Sequence, residues 1–138
     1  MKYQTISLYQ LFDSFGVFNT TEIEQILQCF EPKSYTKGTI IADIRQVNDK
    51  MYFIEKGMLR EFSYQDQDNT ISHWLMSEND FVYLVESFFE KKPSEIALEV
   101  IENAKLWVIS KQNMDKLYLD FPHLNLIGRL TGEKSQKI

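Results

Sequence analysis

The chain has 138 residues, 43% of them hydrophobic and 14% aromatic, which suits one domain with a buried core and excludes a disordered tail. Twenty acidic against fifteen basic side chains give a net charge of −5, which argues against nucleic acid or an anionic membrane as this chain's own partner. The N-terminus, MKYQTISLYQLFDSF, lacks the apolar run of a signal peptide, and no stretch approaches the ~20 apolar residues of a spanning helix, so a cytoplasmic location is expected.

In chain order, Leu8, Leu11 and Phe12 suggest an amphipathic turn or two, ended by Gly16. Thr21 and Glu24 read as a capping box. Ile23, Ile26, Leu27 and Phe30 follow as one apolar stripe at helical spacing, and Pro32 stops the helix. Cys29, the single cysteine, forbids an internal disulfide, as in a reducing compartment. It reads as a buried structural thiol, since a reactive one would need electropositive neighbours and Glu22, Glu24 and Glu31 flank it. Residues 1–34 are thus N-terminal helices.

From residue 35 to about 110 short apolar runs recur: Thr39–Ile44, Met51–Glu55, Met58–Tyr64, Thr70–Met76, Ile96–Ile101 and Lys105–Ile109. Turn signals separate most of them, at Lys37-Gly38, Asn48-Asp49, Lys56-Gly57, Asp66 to Asn69, Glu78 to Asp80 and Glu102-Asn103. That spacing predicts a roll or sandwich of antiparallel strands. Phe81 to Phe89 is too long and too evenly apolar for a turn, so a short helix is inserted near 82–89, before Glu90-Lys91-Lys92-Pro93.

Ser110 is placed to cap a helix carrying Met114, Leu117 and Leu119, which Phe121-Pro122 ends. A last helix begins near His123 and carries Leu124, Ile127 and Leu130 through Gly128 and Gly132. Residues 111–138 are therefore C-terminal helices. No repeat, low-complexity segment or second domain interrupts this single mainly β domain with flanking helices.

No catalytic constellation emerges, and the chain is not expected to be an enzyme. The two histidines, His73 and His123, stand fifty residues apart, with no cluster of metal ligands and no nucleophile partnership. His73 beside Trp74 reads as a satisfied strand histidine, and His123 as a helix-start residue. No glycine occurs between Gly57 and Gly128, which removes any Gly-rich phosphate loop. No metal and no cofactor are expected.

Helices, a β-roll interrupted by one short helix, then a long helix: this order resembles the cyclic-nucleotide-binding domain of bacterial Crp/Fnr-type transcription regulators. MYFIEKGMLREFSY is similar to that family's hairpin, with Gly57 at the tight turn and Arg60 just beyond. ENDFV, residues 78 to 82, resembles the run into its phosphate-binding cassette. KPSEIALEVIENAKLWVIS resembles the strand pair that leaves it, followed by the helix-Phe-Pro-helix exit. The resemblance covers roughly residues 8 to 134 and implies a double-stranded β-helix, or jelly-roll.

In members that bind cyclic nucleotides, the resemblance implies a Gly-Glu pair, then an arginine about ten residues on. The glutamate takes the ribose hydroxyl, and the arginine pairs with the phosphate. Here Tyr83 and Leu84 stand where Gly-Glu is expected, and Ser94 or Glu95, depending on a one-residue register choice, where the arginine is. No arginine occurs between Arg60 and Arg129. Lys91 and Lys92 offer point charges but not arginine's planar fork. They read as a solvated loop.

The expectation is a ligand sensor with a degenerate cassette, in which cyclic AMP and cyclic GMP lose their grips. Tyr83 partly fills any remaining pocket, and Trp74, Phe81 and Phe88 either line it or simply pack in the core. A ligand of unknown identity, apolar or neutral, is then favoured. The alternative is a stand-alone protein-interaction module on the same fold. Family regulators continue into a DNA-reading helix-turn-helix, absent from this sequence, which ends at GEKSQKI. The chain is therefore expected to be the sensor part of a longer regulator, touching DNA only through such a further domain. Leu124, Ile127 and Leu130 either start a homodimer seam or pack back on the roll.

Overall fold

Two reciprocal caps launch the N-terminal helices. The structure, a computed structural model, describes residues 7–124 and the backbone of 136–137. At α1 (Leu8–Ser14) the Ser7 hydroxyl accepts from the Gln10 amide, and Gln10 Oε1 accepts from the Ser7 amide. At α2 (Thr20–Leu27) Asn19 and Glu22 make the same exchange, at 2.8 and 2.9 Å. The capping box thus lies two residues before Thr21 and Glu24. Asn19 offers the same spacing, and its extended backbone leaves both threonines inside the first turn. The helix ends at Leu27, well before Pro32. Cys29 lies half-buried in the turn that follows, packed against the helical core.

Seven strands follow: β1 (Glu31–Tyr35), β2 (Ile40–Ala42), β3 (Lys50–Tyr64), β4 (Thr70–Met76), β5 (Phe81–Val82), β6 (Ala97–Ser110) and β7 (Gln136–Lys137). All the pairings are antiparallel, in the order β1-β6-β3-β4-β7, with β2 on β6 and β5 on β3. The sheet begins earlier than the sequence suggests, since β1 falls within the stretch read as helical up to residue 34. Pro32 is tolerated because β1 is an edge strand, where a missing amide breaks no ladder. Helix α3 (Val85–Glu90) interrupts the roll directly after β5, and α4 (Lys111–Asp120) follows β6. The Ser110 hydroxyl caps α4, accepting from the Asn113 amide at 3.1 Å.

Two of the expected turns are not turns. β3 runs unbroken through Lys56-Gly57, and β6 through Glu102-Asn103. The strands pair along their length with register shifts around residues 54–59 of β3. Gly57 has φ +104°, and a Cβ there would lie 2.6 Å from the Asn103 carbonyl oxygen and 2.7 Å from Ala104 Cα. It is a bulge where two strands nearly touch, a place only glycine fits.

The bulge has a consequence for every side chain beyond it. Ile54 pairs with Leu106 and Leu59 with Val100, so five steps along β3 match six along β6. Even positions of β3 face the roll before the bulge and odd ones after it. Before it, Met51 and Phe53 join the helices in one apolar cluster with Leu8, Phe12, Ile23, Phe30 and Leu117. Tyr52 and Ile54 face the roll interior, in a second cluster with Leu59, Met76, Leu84, Leu98 and Leu106. One sheet therefore separates two cores.

Candidate ligand site in the roll

The cassette starts on a hydrogen-bonded corner. The Ile54 amide donates to the Asp80 carbonyl at 3.0 Å, and the Asn79 amide to the Ile54 carbonyl at 2.8 Å. Asn79 takes a left-handed φ of 75°, and the Asp80 carboxylate accepts from the Ser77 amide. β5 then alternates across the sheet. Phe81 packs its ring 5.0 Å from Phe53 on the helical side, while Val82 turns into the roll beside Tyr52.

This alternation separates the candidate residues. Leu84 is buried in the roll interior, whereas Tyr83 packs on the helical side, 5.5 Å from the Phe88 ring and 5.6 Å from Phe89. Of the three rings left open between pocket and core, Trp74 packs against the interior cluster. Phe81 and Phe88 belong to the helical one.

At the far end of the cassette Ser94 is buried and Glu95 exposed. The Ser94 carbonyl accepts from the Arg45 amide at 2.7 Å, its amide donates to the Gln46 carbonyl, and its hydroxyl accepts from the Ile96 amide. Lys91 and Lys92 are exposed; Lys92 pairs with Glu90 at 3.3 Å, and Lys91 ends α3 in a left-handed conformation. Leu124 is buried with the helices, and Ile127 and Leu130 lie outside the described residues.

Four further polar residues shape this region. Asn48 donates its amide hydrogen to the buried Ser87 hydroxyl, and its side-chain nitrogen donates to the Tyr52 hydroxyl at 3.1 Å. It thereby ties α3 to the roll. Burial pushes the Tyr52 phenol up to about 12, with the Asn48 hydrogen bond acting the other way. The signal was a serine inside the apolar run from Phe81 to Phe89.

The fourth is Glu61. It pairs with Leu98 of β6 and Trp74 of β4, and directly paired residues share a face. Leu98 and Trp74 belong to the roll cluster, so Glu61 faces inward. It is half-buried, and among the described residues it has no hydrogen-bond or ion-pair partner. Burial pushes its carboxyl above the usual glutamate range.

Arg60, one residue earlier, takes the opposite face. Its Nε donates to Glu99 at 2.7 Å, Nη1 donates to the hydroxyls of Ser72 and Thr70, and the guanidinium lies 4.4 Å from the Phe62 ring centre. Three of its N–H donors are thus used outside the roll. His73 shares a hydrogen bond with Ser63. Among the described residues, no group of three or more His, Cys, Asp and Glu is placed to hold a metal ion, and no helix is long and apolar enough to cross a membrane.

The sequence profile of the cyclic nucleotide-binding domain matches residues 32–121, which spans β1 to the end of α4. The chain belongs to the cyclic nucleotide-binding domain family. Similar solved structures include the sensor domain of the transcriptional regulator DNR from Pseudomonas aeruginosa, 13% identical, with a TM-score of 0.71 over 88% of this chain and 84% of that one. The Thermus thermophilus catabolite activator protein is 17% identical, with a TM-score of 0.69 over 84% of this chain and 55% of that one. The c-di-GMP-responsive global regulator CLP of Xanthomonas campestris is 18% identical, with a TM-score of 0.67 over 83% and 55%. At these identities the likeness is one of fold, and the chain spans about half the length of the last two regulators. No curated protein matches the chain significantly in sequence.

Leu84 and Ser94 are both buried in the stretch between β5 and β6. The proteins of similar fold named above are an activator protein, a global regulator and the sensor domain of a transcriptional regulator.

Proposed function

We propose that this domain is the ligand-sensing part of a Crp/Fnr-type regulator and that its cassette does not hold cyclic AMP or cyclic GMP. The observation that carries this reading is the charge on the inner face. Tyr52, Ile54, Leu59 and Glu61 of β3 meet Leu98, Val100 and Leu106 of β6 and Trp74 and Met76 of β4. Glu61 is the single charged side chain of that set. Arg60 faces away, already paired with Glu99. Glu86 in the first turn of α3 and the exposed Glu95 add negative charge around the cassette. A charge-assisted hydrogen bond contributes roughly 1.5–3 kcal/mol, so losing two or more weakens a cyclic phosphate by orders of magnitude. A carboxylate facing that phosphate repels it further.

The signal is passed on, in this reading, through a DNA-binding domain beyond this chain and through pairing of two copies. Titration calorimetry of the chain with cyclic AMP and cyclic GMP tests the central claim: no heat of binding at micromolar concentration is expected, and micromolar binding of either nucleotide overturns it. A second reading, a protein-interaction module without a ligand, draws on the exposed Val85 and Phe89 of α3. A ligand that changes the roll interior would exclude that second reading.

A further inference from the structure

We infer that the C-terminal strand β7 is a releasable strap, and that its pairing with β4 carries the state of the roll to the C-terminus of the chain. This rests on the reading of the domain as a sensor and names how the sensor's state is read out. Among the described residues β7 pairs with β4 alone, Gln136 with Leu75 and Lys137 with Trp74. It is two residues long, against seven for β4 and fifteen for β3. In an antiparallel ladder, hydrogen-bonded and non-hydrogen-bonded pairs alternate, so two adjacent pairs exchange their N–H···O bonds at one of them only. Each such bond has a modest net worth, and a small bias changes the paired fraction of β7 several-fold.

β4 is a strand that needs a cover and also touches the roll. Its sequence, TISHWLM, has no proline and no lysine, arginine, aspartate or glutamate, the residues with which natural edge strands block the addition of another strand. One side of β4 is taken by β3, and β7 stands on the other. Trp74 and Met76 belong to the roll cluster, while Leu75 between them pairs with Arg60, which faces outward. A rearrangement at Trp74 or Met76 therefore shifts the main chain to which β7 is bonded. Roll cluster, β4 backbone and β7 form one contiguous route, and β7, paired or released, is its two-state element.

The test uses the full chain labelled with nitrogen-15. One of the Gln136 and Lys137 amides, the one that points to β4, is expected to exchange with water about tenfold to a hundredfold more slowly than in an unstructured peptide. The second readout is the indole N–H resonance of Trp74, assigned with Trp74→Phe to distinguish it from Trp107. Gln136→Pro and Lys137→Pro are made in parallel. Proline at the protected position removes the bonded amide and is expected to move the Trp74 resonance; proline at the other, whose amide faces away from β4, moves it far less. In the other direction, Met76→Leu is expected to lower the protection roughly threefold or more, while Phe12→Leu on the helical side leaves it unchanged. Met76→Ile replaces Met76→Leu if that variant does not fold. Unprotected exchange at both amides, a Trp74 resonance indifferent to both prolines, or equal effects of the Met76 and Phe12 variants overturns the inference. So does protection that rises with protein concentration, which would put β7 on a second copy. Cyclic AMP is titrated in parallel. If it binds while the β7 coupling holds, the nucleotide claim fails and the strap stands; if it does not bind and the coupling is absent, the strap alone fails.

Discussion

On the helical side of the sheet Phe12, Phe18, Phe30, Phe53 and Phe81 close ring against ring, with Phe12 6.2 Å from Phe30 and Phe53 5.0 Å from Phe81. On the roll side Leu59, Met76 and Leu98 surround a carboxylate, Glu61. The same two strands, β3 and β6, build both faces. The helical face satisfies itself with its own side chains, as a folding core does. The roll face holds an acidic group whose burial opposes folding.

The largest expected effect breaks the helical face. Phe53→Ala empties a fully buried ring position and should lower stability by about 3–5 kcal/mol, measured by chemical denaturation. A loss below about 1 kcal/mol would show that this face is not the main core. Next comes the boundary between the faces. Gly57→Ala puts a Cβ into the β6 backbone at a positive φ, at a cost of about 2–5 kcal/mol. The variant should also move the Trp74 indole resonance, because the bulge sets which residues face inward.

Smaller effects sharpen the contrast. Asn19→Ala removes the α2 cap and should lower stability by about 1 kcal/mol, with Thr21→Ala at less than about half of that. The reverse order would move the helix start back to Thr21. The smallest effect belongs to Glu61, and its sign is the informative part. Burial holds its folded-state pKa above that of a free glutamate. Between the unfolded and folded values the native state keeps the extra proton, so stability falls as pH rises through that window and stays lower to neutrality. Glu61→Gln should remove this fall and melt slightly higher than wild type at neutral pH. Melting curves of the two proteins that run parallel from acid to neutral pH would remove the burial argument.

Much of the fold was readable from local pattern. The apolar stripe of α2, the Ser110 cap of α4, the helix inserted between strands and the run of antiparallel strands each follow from spacing within about ten residues. The misread strand breaks share one cause. Lys56-Gly57 and Glu102-Asn103 look like turns because glycine and small polar residues punctuate both turns and bulges. Which of the two forms depends on the pairing partner, and residues 57 and 103 become neighbours only across the sheet. Pro32 likewise ends a helix or sits in an edge strand, and only the position of β1 beside β6 decided between them.

The candidate site was half readable. The absence of any arginine between Arg60 and Arg129 stands in the sequence alone, whereas the placing of Tyr83, Leu84, Ser94 and Glu95 at gripping positions came from the family resemblance. Alternation counted from Ile54 would turn Arg60 into the roll and Glu61 out of it. The bulge at Gly57 reverses that order. The sequence by itself determined that short antiparallel strands lie between helices, because short-range periodicity carries that, and that no arginine lies between Arg60 and Arg129. Only the tertiary structure decided that Glu61, and not Arg60, faces the interior: one residue of register, set by strands paired across the sheet, inverts the face of each β3 side chain beyond the bulge.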